Sequence, residues 1–166
     1  MRKGGPPVFV AGLNRYAYVE NGPTNVGDAL GLCPLDDPCQ VPPHPFWASV
    51  DLNILETAQG GPFFWLAMVG YPHAPWDYNK QGPYDNFGNF NYGATGAALG
   101  LPDQVIKRGA GAYKYVYDLV HDKPDPDGSP LGPYPYGNSQ GKQDEVQAGI
   151  DYFKHGCMFL HLTFLP

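Results

Sequence analysis

A chain of 166 residues with 43% hydrophobic content is long enough for one ordinary domain and a tail, with sufficient apolar side chains for a core. A net charge of -6 withholds counterion-release affinity for nucleic acid unless the few cations cluster, which they do only weakly, at Lys107-Arg108 and Lys114. No apolar run approaches the roughly 20 residues of a transmembrane helix, so no membrane span is expected.

The 19 Pro, 22 Gly and 12 Tyr predict short elements, many turns and an aromatic, loop-rich surface. Met1-Arg2-Lys3 opens like a signal peptide, but Gly4-Gly5-Pro6-Pro7 stands where an apolar stretch belongs, so no signal peptide is expected on this chain. Residues 1 to 32 read as strands and turns, with Val8, Val10, Tyr16 and Tyr18 broken by Asn21-Gly22-Pro23. The run from Leu13 through Asp28-Ala29-Leu30-Gly31-Leu32 resembles the end of the Rhs (YD-repeat) core. In that family the repeats form a shell, close with Asp-Pro-x-Gly-Leu, and the toxin domain begins after that Leu. The resemblance implies aspartyl self-cleavage there, with two carboxylates sharing a proton. Ala29 replaces the Pro, Gly22 stands where Asn or Asp usually precedes Pro, and residues 4 to 12 hold no second Asp. Cleavage between Leu32 and Cys33 is therefore not expected, and residues 1–32 read as a core remnant separated from its shell.

Residues 33 to 46 form a Pro-rich linker holding an extended course. Cys33 and Cys39 bracket a turn and could pair under oxidising conditions. With Cys157 the thiols number three, and free thiols are the expectation. The His residues are scattered without zinc spacing, so no metal or cofactor is expected. Val50, Leu52, Ile54 and Leu55 suggest a helix over 48–58 ended by Gly60-Gly61, and Pro62 opens a second over 62–69. Asp77 and Lys80 suit a local ion pair.

The stretch from Tyr84 to Gly100 interleaves Asp85, Asn86, Asn89 and Asn91 with Phe87, Phe90 and Tyr92, then runs into Gly93, Gly96 and Gly100. It reads either as a polar site on an aromatic floor or as an irregular loop feeding a glycine-rich helix start. A long helix follows over 101–121, with Val105, Ala112, Val116 and Val120 as its apolar stripe. Gly109 and Gly111 predict close packing or a break. Residues 122 to 141 form a long Pro/Gly loop, functional or disordered, in which Asp125-Pro-Asp127-Gly128 lacks the remaining donors of a calcium loop. The last helix, 142–153, buries Val146, Ile150 and Phe153 and aligns Asp144, Gln147, Asp151 and His155 along another face. The tail from Cys157 is apolar enough to pack on the domain or mediate association. The fold expected is mainly α, with α+β as the alternative and any strands before residue 20.

Trp76-Asp77-Tyr78, the run Phe87-Gly88-Asn89-Phe90-Asn91-Tyr92-Gly93-Ala94-Thr95-Gly96 and the later Gly149-Ile150-Asp151-Tyr152 resemble the bacterial polymorphic toxin type 44 domain. Residues 47–166 are its expected extent. The resemblance implies a secreted or translocated toxin used between bacteria and neutralised by a cognate immunity protein. Its chemistry is read from the residues. The acidic charge and the Tyr/Trp/Asn content favour a hydrolase of cell-wall glycan, with Asp77, Asp85, Asp144 and Asp151 as available carboxylates for a pair roughly 5–9.5 Å apart. The expected catalytic residues are Asp85, Asp77, Asp151 and His155, with Asn89, Asn91, Tyr92 and Trp76 binding substrate. The alternative is an RNase using His121 or His155 with Lys80, Lys107 or Arg108. A non-enzymatic remnant or binding module is a third reading.

Overall fold

The computed structural model describes residues 38–78, 83–121 and 128–158. The chain divides into two units, Met1–Asp37 and Pro38–Pro166. The Rhs-like segment, Cys33, Lys80, Asp125, Asp127 and the tail from Phe159 lie outside the described residues.

The second unit is mainly α. Four helices follow in order: α1 (Val50–Val69), α2 (Asp85–Ala98), α3 (Asp103–Val120) and α4 (Gln140–Lys154). Among the described residues there is no strand.

Helix α1 starts where Ser49 Oγ accepts the Leu52 N–H at 3.3 Å, with Asp51 in the first, positive turn. Its two expected halves run on as one element broken at Gly61, which takes φ 72 just before Pro62. A side chain would be strained at that φ, and Pro62 has no N–H to lose at the head of the second half.

The largest departure from expectation is α2. The irregular stretch is a helix from Asp85 to Ala98, despite three glycines and three asparagines of poor helix propensity. Tertiary packing overrides that propensity. Phe87, Phe90, Asn91, Ala94 and Thr95 are buried at helical spacing, and α2 crosses α4 glycine to backbone. A Cβ on Gly93 would meet the Val146 carbonyl, and one on Gly149 would meet the Phe90 carbonyl. The glycines expected to allow close approach do so within a helix.

Helix α3 keeps its two internal glycines without a break. A Cβ at Gly109 would strike the Tyr92 hydroxyl, and one at Gly111 the Tyr136 carbonyl. Its expected core stripe is not core, however. Val105, Val116 and Val120 are 52%, 56% and 72% exposed, and Ile106, Gly111 and Asp118 are the residues buried instead. Asp118 receives Lys114 Nζ at 2.6 Å one turn away.

Helix α4 buries Gln143, Val146, Ile150 and Tyr152. The core gathers Ile54, Trp65, Phe87, Phe90 and Tyr152 between α1, α2 and α4. Free thiols are corrected by a Cys39–Cys157 disulfide that closes 118 residues. Cys157 is fully buried in the same cluster, and Cys39 packs against it, so residues from the Pro-rich segment are bound into the domain. His44 also sets its ring against Phe87 at 5.0 Å.

The described part of the long loop, 128–139, is ordered by its neighbours. Arg108 donates to the Pro130 carbonyl at 2.6 Å and stacks over Tyr136 at 4.4 Å. Gln143 Nε2 donates at 2.9 Å both to Pro135 O and to Lys107 O, joining loop, α3 and α4.

Candidate functional site

After α1 the chain doubles back through a turn in which Trp76 N–H donates to the Met68 carbonyl at 3.0 Å and Asp77 N–H to the Ala74 carbonyl at 2.8 Å. His73 sits at φ 64, and its N–H donates to Asp77 Oδ2 at 2.8 Å. One carboxylate oxygen is thereby fixed by backbone. The expected Asp77–Lys80 pair lies partly outside the described residues.

Trp76 is buried with its ring edge-on to Phe64 at 5.8 Å. Tyr78 packs against Phe87 at 4.8 Å, and its hydroxyl accepts from Asn53 Nδ2 at 3.1 Å. Burial is the main cause that raises the Tyr78 pKa, the hydrogen bond from Asn53 opposes it, and Glu56 adds to it.

Opposite this turn, α2 presents Gly88, Asn89 and Tyr92, and α3 presents Ala110 and Tyr113. Asn89 and Tyr92, three residues apart, share a helix face. Asn89 Nδ2 donates back to the Asp85 carbonyl at 2.9 Å, which leaves its amide oxygen and second N–H for other partners. Together with Trp76, Asp77 and Tyr78 these residues line a cleft of about 70 Å³. Burial, then the charge of Asp77, then Tyr117, push the Tyr113 phenol up to about 12. Tyr113 therefore remains a neutral hydrogen-bond donor beside a carboxylate at neutral pH. Burial also raises the Tyr92 pKa.

Four of the eight residues picked from sequence, Trp76, Asp77, Asn89 and Tyr92, thus line one cleft. The other four stand elsewhere. Asp85 is exposed in the first turn of α2, one turn before Asn89. Asn91 is fully buried, accepting from Asn53 Nδ2 at 2.8 Å, while its own Nδ2 has no hydrogen-bond partner. Asp151 accepts from Gln147 Nε2 at 2.8 Å, and its carbonyl pairs with His155 Nδ1 at 2.7 Å, both at the end of α4. Sequence reasoning passed over Tyr113. The available signal was the four-residue spacing of Gly109, Tyr113, Tyr117 and His121, which aligns them on one face of α3.

The cleft opens beside a larger recess. A groove of about 540 Å³ runs between the second half of α1 and α3, lined by Trp65, Leu66, Val69, Val105, Val116 and Val120 among others. Val69, Tyr92 and Tyr113 belong to both recesses. His121, a candidate of the RNase reading, stacks on Tyr117 at 4.1 Å along the groove. Arg108, the strongest cation of that reading, is held by the 128–139 loop. Among the described residues no group of three His, Cys, Asp or Glu is placed to hold a metal ion. No helix among them is long and apolar enough to cross a membrane.

Comparison with known proteins gives a family. The family described as bacterial toxin 44 matches residues 73–155, a span that begins at the His73–Asp77 turn and contains all eight residues picked from sequence. Neither a curated protein nor a solved structure matches the chain. The matched span covers half of the 166 residues and carries the polar cleft, and the chain belongs to the bacterial toxin 44 family.

Proposed function

We propose that this toxin domain is a hydrolase that acts on cell-envelope glycan, with the Asp77 cleft as its active site. The observation that carries the reading is the Cys39–Cys157 disulfide, packed into the core cluster. Disulfides persist in oxidising compartments such as the bacterial periplasm and are kept reduced in the cytosol. A toxin whose domain is closed by one is suited to work outside the inner membrane of its target. The acidic net charge and the engagement of Arg108 with its loop favour the same choice over RNA.

We assign the hydrolysis to inversion at the anomeric carbon. Such enzymes place two carboxyl groups roughly 6.5–9.5 Å apart, with a water between the base and the sugar. Asp77 takes a proton from that water as its oxygen attacks the anomeric carbon. The second carboxyl of this reading is Asp85, which lies outside the cleft on the exposed first turn of α2, four residues before Asn89. It gives a proton to the departing oxygen of a glycan that extends from the cleft over that turn. Asn89 and Tyr113 hydrogen-bond sugar hydroxyls, and Trp76 and Tyr92 supply apolar faces. The partners of this reading are a cognate immunity protein and an Rhs shell that carries the domain.

The test is expression of the full chain in bacteria with and without an added export signal. Killing only by the exported chain, reduced at least ~100-fold by Asp77→Asn or Asn89→Ala, is the expected result. Killing only from the cytoplasm would favour the nuclease, with His121 and His155 as the next substitutions.

A further inference from the structure

The capacity of the two recesses is divided unequally. Small-molecule sites commonly enclose about 300–1,000 Å³. The polar cleft, at about 70 Å³, holds part of a polar group at most, whereas the groove, at about 540 Å³, falls inside that range. Among the described residues no Asp, Glu, Lys or Arg lines the groove, and the one charged side chain lining the cleft is Asp77. The valines of α3 that periodicity assigns to the core are spent on this groove and remain half exposed or more. Leu66 faces it from α1 at 52% exposure.

We infer that the two recesses form one site for an amphiphile, with a single hydrocarbon chain along the α1–α3 groove and a neutral, hydroxyl-rich head over the mouth of the Asp77 cleft, one hydroxyl reaching into it. This inference rests on the envelope reading and narrows its substrate class from a glycan polymer to a lipid-linked sugar. Three observations select that occupant. Tyr92 and Tyr113 line both recesses, so a ligand in the groove reaches Asp77 without leaving the surface. The groove is long and apolar, which suits a chain and not a sugar. A carboxylate with no cation beside it among the described residues lining the cleft repels a phosphate head and accepts hydrogen bonds from hydroxyls.

Alkyl glucosides carry both parts and serve as the probe. Below their micelle concentrations, hexyl, octyl and dodecyl β-glucoside are titrated into the full chain by calorimetry, with glucose and dodecyl phosphate alongside. One glucoside should bind per chain, with affinity rising roughly three- to fourfold per added methylene. Glucose alone should give no measurable heat, and dodecyl phosphate should bind at least ~10-fold more weakly than dodecyl glucoside. Val116→Glu, at an exposed position on the groove, and Ala112→Trp, which fills it, should each weaken octyl glucoside by at least ~10-fold in protein whose thermal unfolding is unchanged. Asp77→Asn should keep the chain-length dependence and lose the preference for glucoside over phosphate.

Affinity independent of chain length, binding that survives both groove substitutions, or phosphate bound as tightly as glucoside would each overturn the inference. Binding and killing fail separately. Should glucosides not bind while the exported chain kills in an Asp77-dependent way, the lipid-linked substrate falls and the hydrolase stands. Should glucosides bind while the exported chain is harmless, the hydrolase falls and the site remains.

Discussion

Gly149 of α4 lies against the backbone carbonyl of Phe90 on α2, with no room between them for a methyl group. The contact is backbone to backbone, so relief requires moving a whole helix. Gly149→Ala is expected to destabilise the domain by about 3 kcal/mol, although alanine is the better helix former. Gly141, in the first turn of the same helix, faces open space, and Gly141→Ala should stabilise by up to about 1 kcal/mol. Urea unfolding of the two variants gives opposite signs if the crossing is as close as described.

The Cys39–Cys157 bond closes a long stretch of chain, and the loop-entropy account assigns about 4.7 kcal/mol to a loop of 100 residues. Cys157→Ser, or reduction of the purified protein, should lower stability by about 2–5 kcal/mol. Unfolding curves with and without reductant read this directly. An unchanged midpoint would show that the helices hold the domain without the bond, and would remove the argument for an oxidising compartment.

Asn91 and Asn53 belong to a polar cluster inside the core, where Asn53 Nδ2 serves both Asn91 Oδ1 and Tyr78 Oη. Removing Asn91 leaves an Asn53 N–H buried without its acceptor. Asn91→Ala should therefore cost about 1–3 kcal/mol in stability. Killing per folded molecule should remain within a few-fold of wild type, unlike Asp77→Asn. A loss of killing at undiminished stability would move Asn91 from the core into the chemistry.

Alkaline pH tests the surroundings of Tyr113. Its phenol is raised from the ordinary 10.0 to about 12, first by burial and then by Asp77. A folded-state pKa above the unfolded one means that the stability contribution is complete below pH 10.0 and is lost as pH rises through about 12. Burial shifts Tyr92 in the same direction, as do burial and Asp51 for Tyr152, whose hydroxyl donates to Asp51 at 2.6 Å. Absorbance titration should show late-ionising tyrosines, one fewer in Tyr113→Phe, and unfolding that sets in over this pH range.

Helical periodicity located α1, α3 and α4 within a few residues, because caps, prolines and apolar spacing agree there. It missed α2 because the signal in that segment is tertiary. Glycines and asparagines that weaken an isolated helix are required where Gly93 touches Val146 and Asn91 meets Asn53. The α3 valines mislead for the opposite reason, since an apolar stripe that lines a groove reads the same as one that fills a core. Amide, aromatic and carboxylate content pointed to Trp76, Asp77, Asn89 and Tyr92, which line one cleft. Their neighbour Tyr113 arrives from another helix, and the four-residue spacing that aligns it with Gly109, Tyr117 and His121 gives its face of α3 but not the cleft it meets. The pairing of Cys39 with Cys157 across 118 residues depends on the fold and was not readable from spacing.

The Cα atoms of Cys39 and Cys157 are 5.2 Å apart, so the two ends of the four-helix segment are held together at a single link. Tension applied between the two ends is carried by the sulfur–sulfur link, and the four helices inside the loop feel none of it. The same closure sets a rule for passage through a narrow channel. A pore that admits one extended strand at a time can take this domain only while its thiols are still reduced. The bond that completes the domain is then made on the far side.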